Sequence, residues 1–171
     1  ILKDGAQTQT DKLSAQVSLF GGASGLEMPK PSLPDCDPWP NLEKLKYDDL
    51  SGKAKETWNF QKVSALLVEY GFATNWLNVD FESADFVAVH FNGNDIIKVQ
   101  LKSRVTISKK YLGKDIYICF PLDDKFYLVQ HKKLIEMIEK TTNWLNSSSW
   151  INDGAYSSAS PSGSLREELS S

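Results

Sequence analysis

Asp85, Gln100 and Lys102 are the residues of this chain whose types and spacing best suit chemistry. Between the first two lies Phe91-Asn92-Gly93-Asn94. Asn-Gly is the preferred pair of a two-residue type I′ turn, in which both central residues need positive φ. With Asn92 and Gly93 in that turn, paired residues carry numbers that sum to 185, and Asp85 falls opposite Gln100. Directly opposed residues on antiparallel strands share a face, with Cβ atoms about 5 Å apart. Lys102, two residues further on, shares that face too. A slip of one residue would scatter the three, so the expectation rests on the turn.

A carboxylate and an amide oxygen are donors for a hard divalent cation such as Mg²⁺ or Mn²⁺. Such a cation polarises a phosphoryl oxygen and helps to generate hydroxide from bound water. An ammonium group beside it would orient that water or stabilise charge developing on the phosphate. Glu56 is a fourth candidate, because it lies on one stripe with Phe60, Val63 and Leu67 and should face inward with them. Spacing alone favours the plainer alternative of Asp, Gln and Lys on a solvated sheet face, with Glu56 in a surface pair.

Elements of ordinary kind would position these groups. Ser51 is an N-cap, and Lys53 to Tyr70 reads as a helix with Val63, Leu66, Leu67 and Tyr70 along one side, stopped by Gly71. Thr74 to Val79, Asp85 to Phe91 and Asp95 to Arg104 read as strands, the last two rich in Val, Ile and Phe. Two short strands follow, Asp115 to Phe120 and Phe126 to Gln130, then a helix over Lys132 to Lys140. This is an α/β or α+β domain, a small mixed sheet flanked by helices. Three stretches are expected: an irregular, linker-like segment over 1–46, the domain over 47–145, and a Ser-rich tail over 146–171. The first holds five prolines between Pro29 and Pro40, a density that precludes a continuous helix. In the last, only Leu165 to Leu169 suggests a helix.

Hydrophobic residues are 41% of the 171 and charged residues 24%, a globular composition. No run approaches the roughly 18 apolar residues of a membrane span, and Cys36 and Cys119 have no metal-type spacing. The expected setting is cytoplasmic, with no membrane partner. The net charge of −3 argues against a nucleic-acid partner, but its distribution does not. Residues 51–171 hold fourteen cations and fourteen acids, and Lys98, Lys102, Arg104, Lys109, Lys110 and Lys114 run without an intervening acid. Such a run can neutralise several phosphates, and Arg104, Lys109 and Lys110 are the expected contacts. A solvated strand and loop would look the same. His90 should point away from Asp85, and His131 reads as a helix start; Trp58, Trp144 and Trp150 read as packing residues rather than base-stacking platforms, while Trp76, near the site, is open to either role.

Ala84-Asp85 followed by Gln100-Leu101-Lys102 resembles the PD-(D/E)XK nuclease core, where a hairpin carries Asp on one strand and (Asp/Glu)-x-Lys on the next. The stretch from Asn59-Phe60-Gln61-Lys62 through Lys98 to Arg104 and on to Asp115 is also similar to uncharacterised bacterial proteins of this class, a resemblance that runs from about Asp48 to Ile138 and more faintly through Tyr156 to 171. The resemblance implies a restriction-endonuclease-like core and metal-dependent hydrolysis of DNA. It makes Asp85 and Gln100 metal ligands, Lys102 the catalytic lysine and Glu56 the counterpart of a helix glutamate. Two departures stand. No proline precedes Asp85, and Gln100 replaces an acid, which weakens the metal site unless Glu56 or Glu82 contributes. Double-strand cutting would favour a homodimer.

Gln16-Val17-Ser18-Leu19-Phe20-Gly21 resembles the bacterial sliding-clamp motif Gln-x-x-Leu-Phe. Pro34 through Pro38-Trp39-Pro40 to Leu45 is similar to the segment after the clamp motif of the DNA polymerase III alpha subunit. That resemblance implies clamp binding through Gln16, Leu19 and Phe20, with two apolar side chains filling a pocket. Three functions follow as expectations: a nuclease tethered to the clamp, a fragment or chimera of the polymerase subunit that cannot synthesise DNA, and a domain that binds nucleic acid without cutting it.

Overall fold

The computed structural model describes residues 42–171. Gln16, Leu19 and Phe20, with nearly all of the linker-like segment, lie outside the described residues. A single 3-10 turn at Tyr47–Asp49 leads into helix α1, Gly52–Glu69. The Ser51 side chain accepts from the Ala54 amide and caps the helix as expected. Val63 and Leu67 are buried on its inner stripe, and so is Asn59, whose amide donates to the Tyr47 hydroxyl at 3.0 Å.

Strands β1 (Phe72–Phe81), β2 (Ala84–His90) and β3 (Ile96–Leu101) form an antiparallel meander. β4 (Val105–Ser108) leaves the sheet, and β5 (Tyr117–Leu122) returns parallel to β3 before turning back into β6 (Lys125–Gln130). The mixed five-stranded sheet has the order β1-β2-β3-β5-β6. Helix α2 (His131–Thr141), strand β7 (Ala155–Ser158) and helix α3 (Gly163–Ser170) complete the domain. The architecture is the mixed α+β class expected from the pattern of elements.

The sheet has two unlike faces. α1 covers one, burying Val63 and Leu67 against Phe86, Ala88, Val99 and Leu101. The other is covered only over β5 and β6, where Ile118, Phe120, Leu134, Ile138 and Leu165 form a second core. Each such side chain contributes roughly 1.5–3 kcal/mol by leaving water. The stretch read as a Ser-rich tail is part of this layer. β7 pairs with β4 from Val105↔Ser158 to Ser108↔Ala155, and Leu165 of α3 is fully buried. Lys140 of α2 and Glu168 of α3 close the contact at 2.7 Å.

The tight turns differ from expectation in place and type. Glu82 and Ser83, and again Asp123 and Asp124, have the paired positive φ values of two-residue primed turns, joining β1 to β2 and β5 to β6. Asn92-Gly93 does not form such a turn, since only Gly93 has positive φ. The loop spans Phe91 to Asn94, closed by His90 N–H donating to Asp95 C=O at 2.8 Å. The Asn92 side-chain oxygen accepts from the Asn94 and Asp95 amides, an Asx arrangement that holds the wider loop. The loop grows by one residue on each side, so the register is kept. Phe86↔Val99, Val87↔Lys98, Ala88↔Ile97 and Val89↔Ile96 all sum to 185.

Candidate functional site

β2 and β3 bring Asp85 and Gln100 together on the uncovered half of the second face. The Gln100 amide nitrogen donates to Asp85 Oδ2, and the Leu101 backbone N–H donates to the same oxygen at 2.8 Å. Gln100 is buried and Asp85 is half-buried. Lys102 follows β3 by one residue, fixed by its own N–H on the Cys119 carbonyl at 2.7 Å. The three line an open pocket of about 360 Å³ together with Leu77, Asn78, Val79, Ser83, Ala84 and Lys110.

A bulge in β1 makes room for this pocket. Trp76 pairs with Phe86 and Phe81 with Ala84, so the β1 residues from 77 to 80 face Asp85 alone on β2. The ladder is interrupted beside the carboxylate, and Leu77, Asn78 and Val79 become pocket wall. Bulges of this kind re-aim side chains and recur next to functional sites.

Partial burial sets the electrostatics. Desolvation raises the Asp85 carboxyl above its ordinary range, with Glu56 adding to the rise; the Leu101 N–H, Lys102 and Lys110 oppose it. Desolvation lowers the Lys102 ammonium, against the pull of Asp85; Lys110 adds to the lowering and Glu56 opposes it. A carboxylate pushed up and an amine pushed down by partial burial in one pocket mark a candidate functional site.

The remaining candidates separate. Lys110 reaches the pocket. Its ammonium lies over the Tyr111 ring at 4.8 Å, and its charge acts on both Asp85 and Lys102. Lys109 does not reach it: its ammonium donates to the Ile151 carbonyl at 3.0 Å and lies over Trp150. Arg104 is exposed and is not among the lining residues. The Glu82 carboxylate pairs with Lys98 and sits on a primed turn, outside the lining of the pocket. Glu56 stands one pocket away, with Lys53, Thr57, Phe60, Trp76 and Asn78, and bonds Lys53 at 3.1 Å. Asn78 belongs to both pockets, and nothing in the sequence marks it out.

Among the described residues no group of three or more His, Cys, Asp and Glu side chains could hold a metal ion. The oxygen donors at the site are the Asp85 carboxylate and the Gln100 side-chain carbonyl. With one formal charge between them, they fit a hydrated Mg²⁺ or Mn²⁺ that keeps most of its waters, and Gln100 would have to present oxygen where it now presents nitrogen. His90 packs against Phe72 on the opposite face, as strand alternation requires. His131 is buried against Tyr111, and its ring nitrogen accepts from the Ser108 amide at 3.4 Å. Among the described residues no helix is long and apolar enough to cross a membrane.

No protein-family model and no curated protein matches the chain. Among solved structures, it is similar to a Holliday junction resolvase from the archaeal hyperthermophile Archaeoglobus fulgidus, with 17% identity over 46% of this chain and 74% of the resolvase, at a TM-score of 0.36.

Proposed function

We propose that the domain is a metal-dependent nuclease that hydrolyses phosphodiester bonds of DNA, with Asp85, Gln100 and Lys102 at its centre. One observation carries this reading: a partly desolvated Asp85–Lys102 pair in an open polar pocket, with opposite shifts and a second cation, Lys110, beside it. Asp85 and Gln100 would hold the cation, which supplies Lewis acidity toward a phosphoryl oxygen and an acidified water. Lys102, fixed through its backbone on β5, holds an ammonium where charge develops on the phosphate. Lys110 supplies a second phosphate contact. Glu56 acts on the site through its charge.

A second reading, nucleic-acid binding without cleavage, is favoured by the Gln100 amide nitrogen on Asp85, which occupies the carboxylate oxygen that a metal would need. Incubation of plasmid and single-stranded DNA with Mg²⁺, Mn²⁺ or EDTA separates the two. Cutting that needs the metal supports the nuclease. A folded protein that binds DNA but does not cut it, whether with Mg²⁺, Mn²⁺ or EDTA, supports the second reading. Residues 1–46 enter as a tether to a sliding clamp through Gln16, Leu19 and Phe20, resting on sequence resemblance alone. Loss of clamp capture in a Leu19→Ala, Phe20→Ala variant would support that part, and unchanged capture would remove it.

A further inference from the structure

We infer that the cleft beside the Asp85 pocket receives one unpaired nucleobase, stacked on Trp76, so that the preferred substrate strand is single-stranded or locally unpaired. The inference rests on the nuclease reading and deepens it. Two cavities adjoin across the β1 bulge, with Asn78 as a wall of both. One carries Asp85, Lys102 and Lys110, the groups for a phosphate. The other is lined by Trp76, Phe60, Glu56, Thr57 and Lys53. The Trp76 cavity lies on the α1 face and the Asp85 pocket on the other, so a nucleotide would bridge them at the β1 bulge, its phosphate joined through a short sugar to a flat aromatic ring. The second cavity holds about 290 Å³. That is the low end of small-molecule sites, about 300–1,000 Å³, and the scale of one base rather than a duplex.

The lining suits a base. Trp76 is half-buried and held edge-on by Phe60 at 4.9 Å between centroids, and Phe60 is held in the same way by Phe86. The ring is therefore fixed in place before any ligand arrives. The group above it is Lys53, 5.5 Å from the centroid, with a side chain 75% exposed. Lys53 can swing aside to the sugar-phosphate chain and leave the ring to the base. The Glu56 carboxylate and the Asn78 amide offer an acceptor and a donor to a base edge, so bases with an exocyclic amino group should bind better than thymine. A base can reach the cleft only when out of its stack, which excludes fully paired duplex at that position.

Binding is measured in EDTA, where no cleavage is asked of the protein, with a labelled single-stranded deoxycytidine oligonucleotide and an abasic strand of the same length. The two carry equal phosphate charge. The wild-type protein should bind the base-bearing strand about ten-fold more tightly, the worth of one stacked base. Trp76→Leu should erase that difference and leave abasic-strand affinity unchanged. Thr57→Leu, at an exposed position of the cleft wall, should reduce the difference without removing a packed ring and serves if Trp76→Leu does not fold. Equal binding of the two strands by the wild type would overturn the base cleft and leave the nuclease reading standing. Persistence of the preference in both variants would do the same. Binding of neither strand would also overturn the base cleft, and the nuclease reading would be decided by the metal-dependent cleavage assay.

Discussion

One face of one sheet carries two unlike regions. Over β5 and β6 it is closed: Ile118 and Phe120 are fully buried under α2 and α3. One strand away, over β2 and β3, it is open, and Gln100, paired in register with Ile118, is a buried polar residue reaching toward Asp85. The covering layer stops between the two. That margin is where a carboxylate and an amine are dry enough to be shifted and wet enough to be reached. The closed half supplies rigidity, and the open half supplies groups that stability alone would not select.

The comparison breaks most readily in a pair of denaturation curves. Ile118→Ala, in the closed half, should cost about 2–5 kcal/mol through the cavity it leaves. Asp85→Asn, in the open half, should change stability far less or raise it, because the raised carboxyl shows that ionised Asp85 opposes folding at neutral pH. Equal losses in urea would mean that the polar trio is a structural network.

The closed half also contains a titrating group. Burial pulls His131 down to about 4 from an ordinary value near 6.5. Above pH 6.5 it is neutral in both folded and unfolded chains. Between 6.5 and 4 the unfolded chain binds a proton that the folded chain refuses, so stability falls as pH falls across that window and this contribution levels off below it. The expected loss is about 3 kcal/mol. His131→Gln should flatten the slope; the difference between wild-type and variant urea midpoints, measured from pH 7 to 4, checks it. Identical slopes would mean that His131 is not held neutral.

A smaller effect sharpens the open half. Gln100→Glu adds the missing negative charge beside Asp85 and should tighten Mg²⁺ or Mn²⁺ about ten-fold, or ~1.4 kcal/mol, in a metal titration. Unchanged affinity would remove Gln100 from the ligand set.

Much of this arrangement was legible before the fold. The α1 stripe, the hairpin register and the convergence of Asp85 with Gln100 all follow from periodicity and from Asn92-Gly93, although the loop itself has another form. What escaped had no local signal. The break between Phe120 and Phe126 was legible, but the Glu82-Ser83 turn takes positive φ without glycine, asparagine or aspartate, so its residues did not announce it. β4 and β7 are four residues each and pair across about fifty positions, which no window of sequence reads. The β1 bulge is formed by Leu77, Asn78, Val79 and Asp80, an unremarkable run, and it is what opens the pocket and enlists Asn78. The cation run was visible, but its division was not. Lys98 and Lys114 hold the Glu82-Ser83 turn, Lys109 holds Ile151 and Arg104 is exposed outside the pocket, which leaves Lys102 and Lys110 at the site.

The central claim is tested most directly by the rate of Mg²⁺-dependent DNA cleavage in wild type, Asp85→Ala and Lys102→Ala, each checked for folding. A nuclease centred on this pair should lose at least about a thousand-fold in rate with either substitution. Cleavage that survives both substitutions would place the chemistry elsewhere and contradict the account.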